Sequence, residues 1–312
     1  MNFDDKIYIA GHTGMVGSAI KRKLQNLGYT NFIEVTSKDL DLRNQQKVDD
    51  FFKRHLPDYV FLAAAKVGGI FANNNFKGDF IYDNLMIQNN VINSAHHYKV
   101  KKLLFLGSSC IYPKHANQPI NESELLDGKL EPTNEPYAIA KIAGIKMCQS
   151  YRDQFDANFI CVMPTNLYGP NDNYDLNSSH VLPALIRKFH EAKVLNASHT
   201  EVWGSGNPKR EFLHVDDLAA ACIFLMKKYN DKEIVNIGTG LDISIKELAL
   251  LIKSTVGFNG EIYFDKEKPD GTPRKLLDVS KLNNLGWEHK INLVEGVKSV
   301  YEDYKEKYSL QE

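Results

Sequence analysis

The chain has 312 residues, enough for one large domain or two unequal ones with a sizeable core. Its 38 basic and 39 acidic residues leave a formal charge of -1, which excludes a general attraction to nucleic acid or to an anionic membrane. Cys110, Cys148, Cys161 and Cys222 lie far apart without a CxxC pair, against a thiolate metal site or a disulfide framework and in keeping with a reducing, cytoplasmic compartment.

The opening run MNFDDKIYIAG enters a strand directly, so no secretion signal is expected. MVGSAIKRKLQNLG reads as an amphipathic helix ending at Gly28, NFIEVTS as a second strand and NQQKVDDFFKRHLP as a second helix. DYVFLAAA is a buried strand, followed by KVGGI and a long helical region, KGDFIYDNLMIQNNVINSAHHYKV. KKLLFLGSS is a fourth strand, a helix carrying Tyr137 follows, and NFICVMP is a fifth strand. Beyond NLYGPNDNY the rhythm weakens, with helices at SHVLPALIRKFHEAK, DDLAAACIFLMKKY (capped by its aspartates) and SIKELALLIKSTVG. Between the last two, EIVNIGTG is a strand expected to return to the main sheet. No run approaches the ~18 apolar residues of a membrane span.

Continuous apolar strands separated by helices predict a parallel sheet covered on both faces. The fold class is α/β: a Rossmann-type doubly wound parallel sheet with a smaller C-terminal α+β substrate domain. The predicted division is discontinuous, with residues 1–170 and a returning segment about 212–240 in the nucleotide domain and 171–312 mainly in the other.

GHTGMVG places Gly11, Gly14 and Gly17 between the first strand and the first helix. One glycine permits the sharp turn, a second lets backbone approach a pyrophosphate, and a third allows close helix–strand contact. The helix N–H groups then face the phosphates. In VTSKDLD after the second strand, Lys38, helped by Ser37, suits the 2′-phosphate of NADP, while Asp39 pulls toward NAD. Asp41 and Leu42 stand where a chain can approach the adenine.

FLGSSCIYP ends the fourth strand at the edge where open parallel sheets bind ligands. In an extended chain Ser108 and Cys110 share one side and Ser109 the other. Tyr137 and Lys141, four residues apart in NEPYAIAKIAG, are neighbours on one helix face. A hydride reduces a carbonyl only if a proton reaches the oxygen. Tyr137 is the candidate donor, Lys141 the charge that tunes it and Ser108 the partner of the substrate oxygen.

GSSCIYP, EPTNEPYAIAKIAG, PTNLYGPNDN and WGSGNPKREFLHVDD resemble the extended short-chain dehydrogenases/reductases acting on nucleotide sugars. The nearest resemblance is to the GDP-L-fucose synthase family, and it runs from the glycine loop to about residue 275. It implies two epimerisations of GDP-4-keto-6-deoxy-D-mannose and one NADPH-dependent reduction. It assigns Cys110 as base and His180 as acid on the carbons flanking the ketone. It also implies NADP(H) contacts from His12, Thr13, Met15 and Val16 in the glycine loop, and from Leu106, Gly107 and Ser109 at the strand end. Pro164, Thr165, Asn166, Leu167 and His180 complete the cofactor set. Lys188 and Arg210 are the implied diphosphate contacts, with Trp203 and Asp270 on other parts of the GDP-sugar. A homodimer through the long helices is implied as well; no metal, nucleic acid or membrane partner is.

The family it resembles can carry arginine in the glycine loop and after the second strand, where this chain has Thr13 and Ser37. NADP preference therefore rests on Lys38. Related 4,6-dehydratases place an Asp–Glu pair where SSC stands here, and a simple 4-epimerase has no need of Cys110 with His180. A regulator that kept the fold and lost catalysis would bind dinucleotide without turnover; intact Ser108, Tyr137 and Lys141 weigh against it. His214 is read as structural.

Overall fold

The computed structural model describes residues 1–268 and 270–308. Its first half alternates β1 (Ile7–Ala10), α1 (Met15–Asn26), β2 (Phe32–Ile33), α2 (Gln45–His55), β3 (Tyr59–Leu62), α3 (Ile70–Asn75), α4 (Lys77–His97), β4 (Lys102–Leu106), α5 (Glu135–Phe155) and β5 (Phe159–Pro164). The second half contains β6 (Asn166–Tyr168), α6 (Val181–Val194), β7 (His199–Trp203), β8 (Lys209–His214), α7 (Val215–Lys228) and β9 (Val235–Ile237). It closes with β10 (Asp242–Ser244), α8 (Ile245–Val256), β11 (Glu261–Asp265), β12 (Arg274–Lys275), α9 (Ser280–Asn284) and α10 (Leu293–Tyr308).

Six strands form one all-parallel sheet in the order β2-β1-β3-β4-β5-β9. Every residue of β1, β4 and β5 is buried, which is why these runs read as continuously apolar. One face packs on α2, α4 and α5 through Val48, Phe52, Val91, Ile92 and Ile145; the other packs on α1 and α7 through Ile20, Leu24, Leu218 and Cys222. β9 returns to the sheet edge beside β5, as its sequence predicts. Strand order reverses between β1 and β3, so the glycine loop sits at the switch point.

A third apolar cluster joins α6, α8 and α10 through Phe189, Leu248, Ile252, Val297 and Tyr304. Beside it β8 pairs with β10 antiparallel and with β6 and β12 in parallel, while β7 pairs with β11. The second strand is shorter than NFIEVTS suggests, because the chain turns after Ile33 and Thr36 Oγ1 bonds to Asp39. The cap of α7 also differs from expectation. His214 accepts from the Asp216 N–H, whereas Asp217 receives the N–H groups of Lys290 and Ile291. His214 is thus structural. Among the described residues no helix is long and apolar enough to cross a membrane.

Candidate active site

Gly11 adopts φ +86°, a conformation only glycine reaches without strain, and a Cβ there would press on the backbone of Ala64. A Cβ on Gly17 would stand 2.1 Å from the Gly11 oxygen, so α1 can approach the loop only with glycine at that position. Gly14 is the N-cap of α1, with no side-chain cap and no acidic residue in the first turn. The helix therefore presents uncapped N–H groups and the positive end of its dipole to the loop, as a pyrophosphate requires. His12 Nδ1 is buried there without a hydrogen-bond partner among the described residues. Thr13, Met15 and Val16 line the same turn and the start of the helix. The glycine loop fits a dinucleotide.

At the end of the second strand Ser37 and Lys38 are exposed, and Lys38 makes no ion pair among the described residues. The Asp41 carboxylate is held by Arg43, which also pairs with Asp83. Leu42 packs against the core, and its carbonyl accepts from Asn90. Glu34, absent from the sequence reading, stands just after β2, 2.7 Å from Lys21 and 3.8 Å from His12.

β4 ends at Leu106, and the chain does not stay extended as expected. Ser108 Oγ accepts the Cys110 N–H at 3.2 Å and turns Ser109–Ile111 into one short helical turn. That turn buries Ser109 and leaves Ser108 and Cys110 on the cleft. A Cβ on Gly107 would meet the Met163 sulfur at 2.5 Å, so a larger residue there requires that side chain to shift.

α5 begins at Glu135 with Pro136 in its first turn and carries Tyr137 and Lys141 to this strand end. Lys141 is buried and donates to the Leu106 carbonyl at 2.8 Å. Burial pulls its ammonium down to about 8. Burial pushes the Tyr137 phenol well above its ordinary range, and negative charge on Cys110 adds to this, while Ser108 pulls partly back. The lysine does not counter that rise: its ammonium lies 5.8 Å from the Tyr137 ring centre and is turned to Leu106. The phenol is therefore protonated, the form that donates.

Cys110 is half-buried, and Lys275 Nζ donates to its Sγ at 3.3 Å. Burial raises the thiol, but Lys275, Ser108 and Arg210 together reverse this, and its pKa falls below the ordinary value. His180 is the N-cap residue of α6, yet its ring forms no cap bond and opens to the cleft. Desolvation and the Lys275 charge hold its imidazole below the usual range, so it is neutral near pH 7. Lys275 arrives on β12, paired in register with Arg210 of β8. The sequence reading missed it, because nothing in KPDGTPRK separates this cation from its neighbours.

Lys188 and Trp203 are together, with the ammonium 5.1 Å from the ring centre, and Lys268 lies over the same ring at 5.6 Å. Arg210 is half-buried and faces the same cleft as Cys110. Asp270 is engaged by Ser205, whose N–H and hydroxyl bond to its two oxygens at 2.7 and 2.8 Å. It thus holds the Gly204–Gly206 turn. Pro164 ends β5, and Thr165 and Asn166 both donate to the Glu211 carbonyl, which fixes the Asn166 and Leu167 backbone on β6. Glu211 is fully buried; its carboxylate accepts from the N–H groups of Thr239, Gly240 and Leu277. Among the described residues there is no group of three or more side chains suited to a metal.

A doubly wound sheet with a glycine loop at its switch point, and a serine, tyrosine and lysine at the next strand end, defines a nicotinamide-dependent enzyme. The chain belongs to the NAD dependent epimerase/dehydratase family, which it matches over residues 7–238. It is similar to the putative GDP-L-fucose synthase 2 of Arabidopsis thaliana, with 62% identity over 96% of this chain and 92% of that protein. It is 55% identical to the GDP-L-fucose synthase of Escherichia coli (strain K12), over 96% of this chain and 97% of the relative. The solved GDP-L-fucose synthetase of Naegleria fowleri bound to NADP superposes with a TM-score of 0.92 at 29% identity, covering 99% and 96% of the two chains.

Proposed function

We propose that the protein converts GDP-4-keto-6-deoxy-D-mannose to GDP-L-fucose by epimerisation at C3 and C5 and NADPH-dependent reduction at C4. The observation that carries this reading is the meeting of two proton-handling sets in one cleft. Cys110 with Lys275 and His180 suits carbon-bound protons; Tyr137 with Ser108 and Lys141 suits the oxygen.

The ketone acidifies the hydrogens on C3 and C5, since either carbanion is held as an enolate. Cys110, poised as thiolate, removes such a proton on one face, and His180 returns one on the other. The negative diphosphate of the sugar nucleotide favours the imidazolium that His180 needs. Ser108 and Tyr137 bond the C4 oxygen and stabilise its developing charge throughout. Bound NADPH supplies a hydride to C4. Tyr137 then gives its proton to the oxygen, and Lys141 holds the reacting end of the site in place.

In this reading the loop from Gly11 to Gly17 and Lys38 hold the dinucleotide, and Leu106, Gly107, Ser109, Pro164, Thr165, Asn166 and Leu167 shape the rest of its site. Lys188, Arg210 and Trp203 receive the GDP part, and Asp270 acts through the turn it holds. The cofactor belongs to residues 1–170 with the return at about 212–240, and the sugar nucleotide mainly to 171–312. Four free cysteines support a reducing, cytoplasmic setting. Exposed Phe76, Tyr82 and Ile139 at or on α4 and α5 support a homodimer through these helices. Light scattering tests the dimer.

The deciding experiment supplies purified protein with GDP-4-keto-6-deoxy-D-mannose and NADPH and identifies the sugar by NMR. The same sugar in deuterated water without cofactor reports exchange at C3 and C5. Cys110→Ser is expected to abolish that exchange while still binding NADPH. A parent enzyme that oxidises NADPH but yields only the D-configured 6-deoxy sugar would refute the epimerase half.

A further inference from the structure

Among the described residues, the acidic side chains nearby are engaged by groups other than Lys275. Glu131 pairs with Lys114 at 2.9 Å, Asp242 with Arg274, and Asp270 with Ser205. Glu211, next in the chain to Arg210, collects three backbone N–H groups. Lys275 is left with no carboxylate partner among the described residues, and its ammonium rests on sulfur at 3.3 Å.

The strand that carries it is clamped on both sides. Lys275 is in register with Arg210 on β8, and Leu277 donates to the buried Glu211 carboxylate. On the other side Leu276 N–H bonds to Gln118, and the Leu276 carbonyl accepts from Ile120. These bonds fix the backbone position from which the Lys275 side chain reaches Cys110.

We propose that Lys275 is the positioning residue that keeps Cys110 as a thiolate and aims its sulfur across the cleft, a role that rests on Cys110 acting as the epimerisation base. An ammonium in hydrogen-bond contact with sulfur favours the ionised form by its charge and orients one lone pair. The other groups facing the thiol are Ser108, Tyr137 and Arg210. The first is a neutral hydroxyl donor and the second a neutral phenol, and Arg210 contributes charge without a hydrogen bond. His180, across the cleft, is neutral and cannot replace the ammonium.

The test is a titration of Cys110 itself by iodoacetamide, read by mass spectrometry of its peptide in the full-length protein. Cys148, Cys161 and Cys222 are buried and serve as internal controls for folding. The parent is expected to alkylate with a midpoint below the ~8.5 of a free thiol. Lys275→Met should raise that midpoint by about one pH unit or more, leaving about tenfold less thiolate at neutral pH. Lys275→Arg should keep it low. Lys275→Gln, which retains a donor without the charge, should behave as the Met variant and decides the matter if Met at this position prevents folding. C3 and C5 exchange in the charge-free variants should fall about tenfold at neutral pH and recover in alkali, following the thiolate. An unchanged alkylation midpoint in folded Lys275→Gln overturns the proposal, as does a variant whose only defect is a higher KM for the sugar nucleotide. The alkylation uses no sugar, so failure of the parent to turn over this substrate would overturn the function and leave the titration to judge Lys275.

Discussion

Lys141→Met should make the protein more stable near neutral pH while abolishing reduction. The lysine is 3% exposed, and burial holds its ammonium at about 8 against an ordinary 10.5. That difference corresponds to about 3 kcal/mol of cost at pH 7, where the side chain is charged both folded and unfolded. Methionine fills similar space but forfeits the bond to the Leu106 carbonyl, worth about 1 kcal/mol. The net gain is ~2 kcal/mol, or a Tm about 4 °C higher for a chain of this size. The sign depends on pH. Between about 8 and 10.5 the unfolded lysine keeps its proton while the folded one sheds it, so the parent gains stability as pH rises through this window. The variant has no such gain, and its advantage should vanish by about pH 10. Calorimetry of both proteins at pH 7 and pH 10 measures the gap, and other titrating groups cancel between them. A variant less stable at pH 7, or a gap equal at both values, would refute the assignment of a strained, charged lysine.

Tyr137→Phe is expected to bind NADPH normally and to lose ~10²–10⁴-fold in keto-sugar reduction, measured by single turnover; near-parent rates would remove Tyr137 as the donor. Gly17→Ala should weaken NADPH binding by about 5- to 150-fold, because overpacking the loop costs ~1–3 kcal/mol. Fluorescence titration reads this, and parent affinity would contradict the close approach of α1 to Gly11. The parent should prefer NADPH to NADH, and Lys38→Ala should narrow the ratio by less than about tenfold, since an exposed charge contact contributes up to ~1 kcal/mol. A parent preference for NADH would show that Glu34 and Asp39 outweigh Lys38.

The sheet and the glycine loop were legible because their signals are local. Apolar runs, the spacing of Gly11, Gly14 and Gly17, and the i, i+4 placement of Tyr137 and Lys141 all survive folding unchanged. The returning strand at Val235–Ile237 was legible for the same reason. The turn at Ser109 was not, since it depends on one hydroxyl choosing a backbone N–H two residues on. The orientation of Lys141 toward Leu106, and of Asp270 toward Ser205, depends on partners 35 and 65 positions away. Lys275 lies on a two-residue strand, too short for any periodicity, and meets Cys110 across 165 positions. α10 did carry a helical pattern in Val297, Val300, Tyr301 and Tyr304, so that part of the tail could have been read.

Glu211 has a consequence for how the protein comes off the ribosome. Its side chain waits for donors 28, 29 and 66 residues downstream, while its carbonyl receives Asn166 from 45 residues upstream. Closure of such loops must precede the bonds that reward it. A nascent chain that has extruded Ile237 but not Leu277 has all six strands of the parallel sheet while Glu211 still lacks its last donor. Lys275 arrives with the same short stretch of chain, pairing with Arg210 two residues before Leu277 reaches Glu211. The contact between Lys275 and Cys110 therefore forms late in synthesis, after every strand of the parallel sheet has been made.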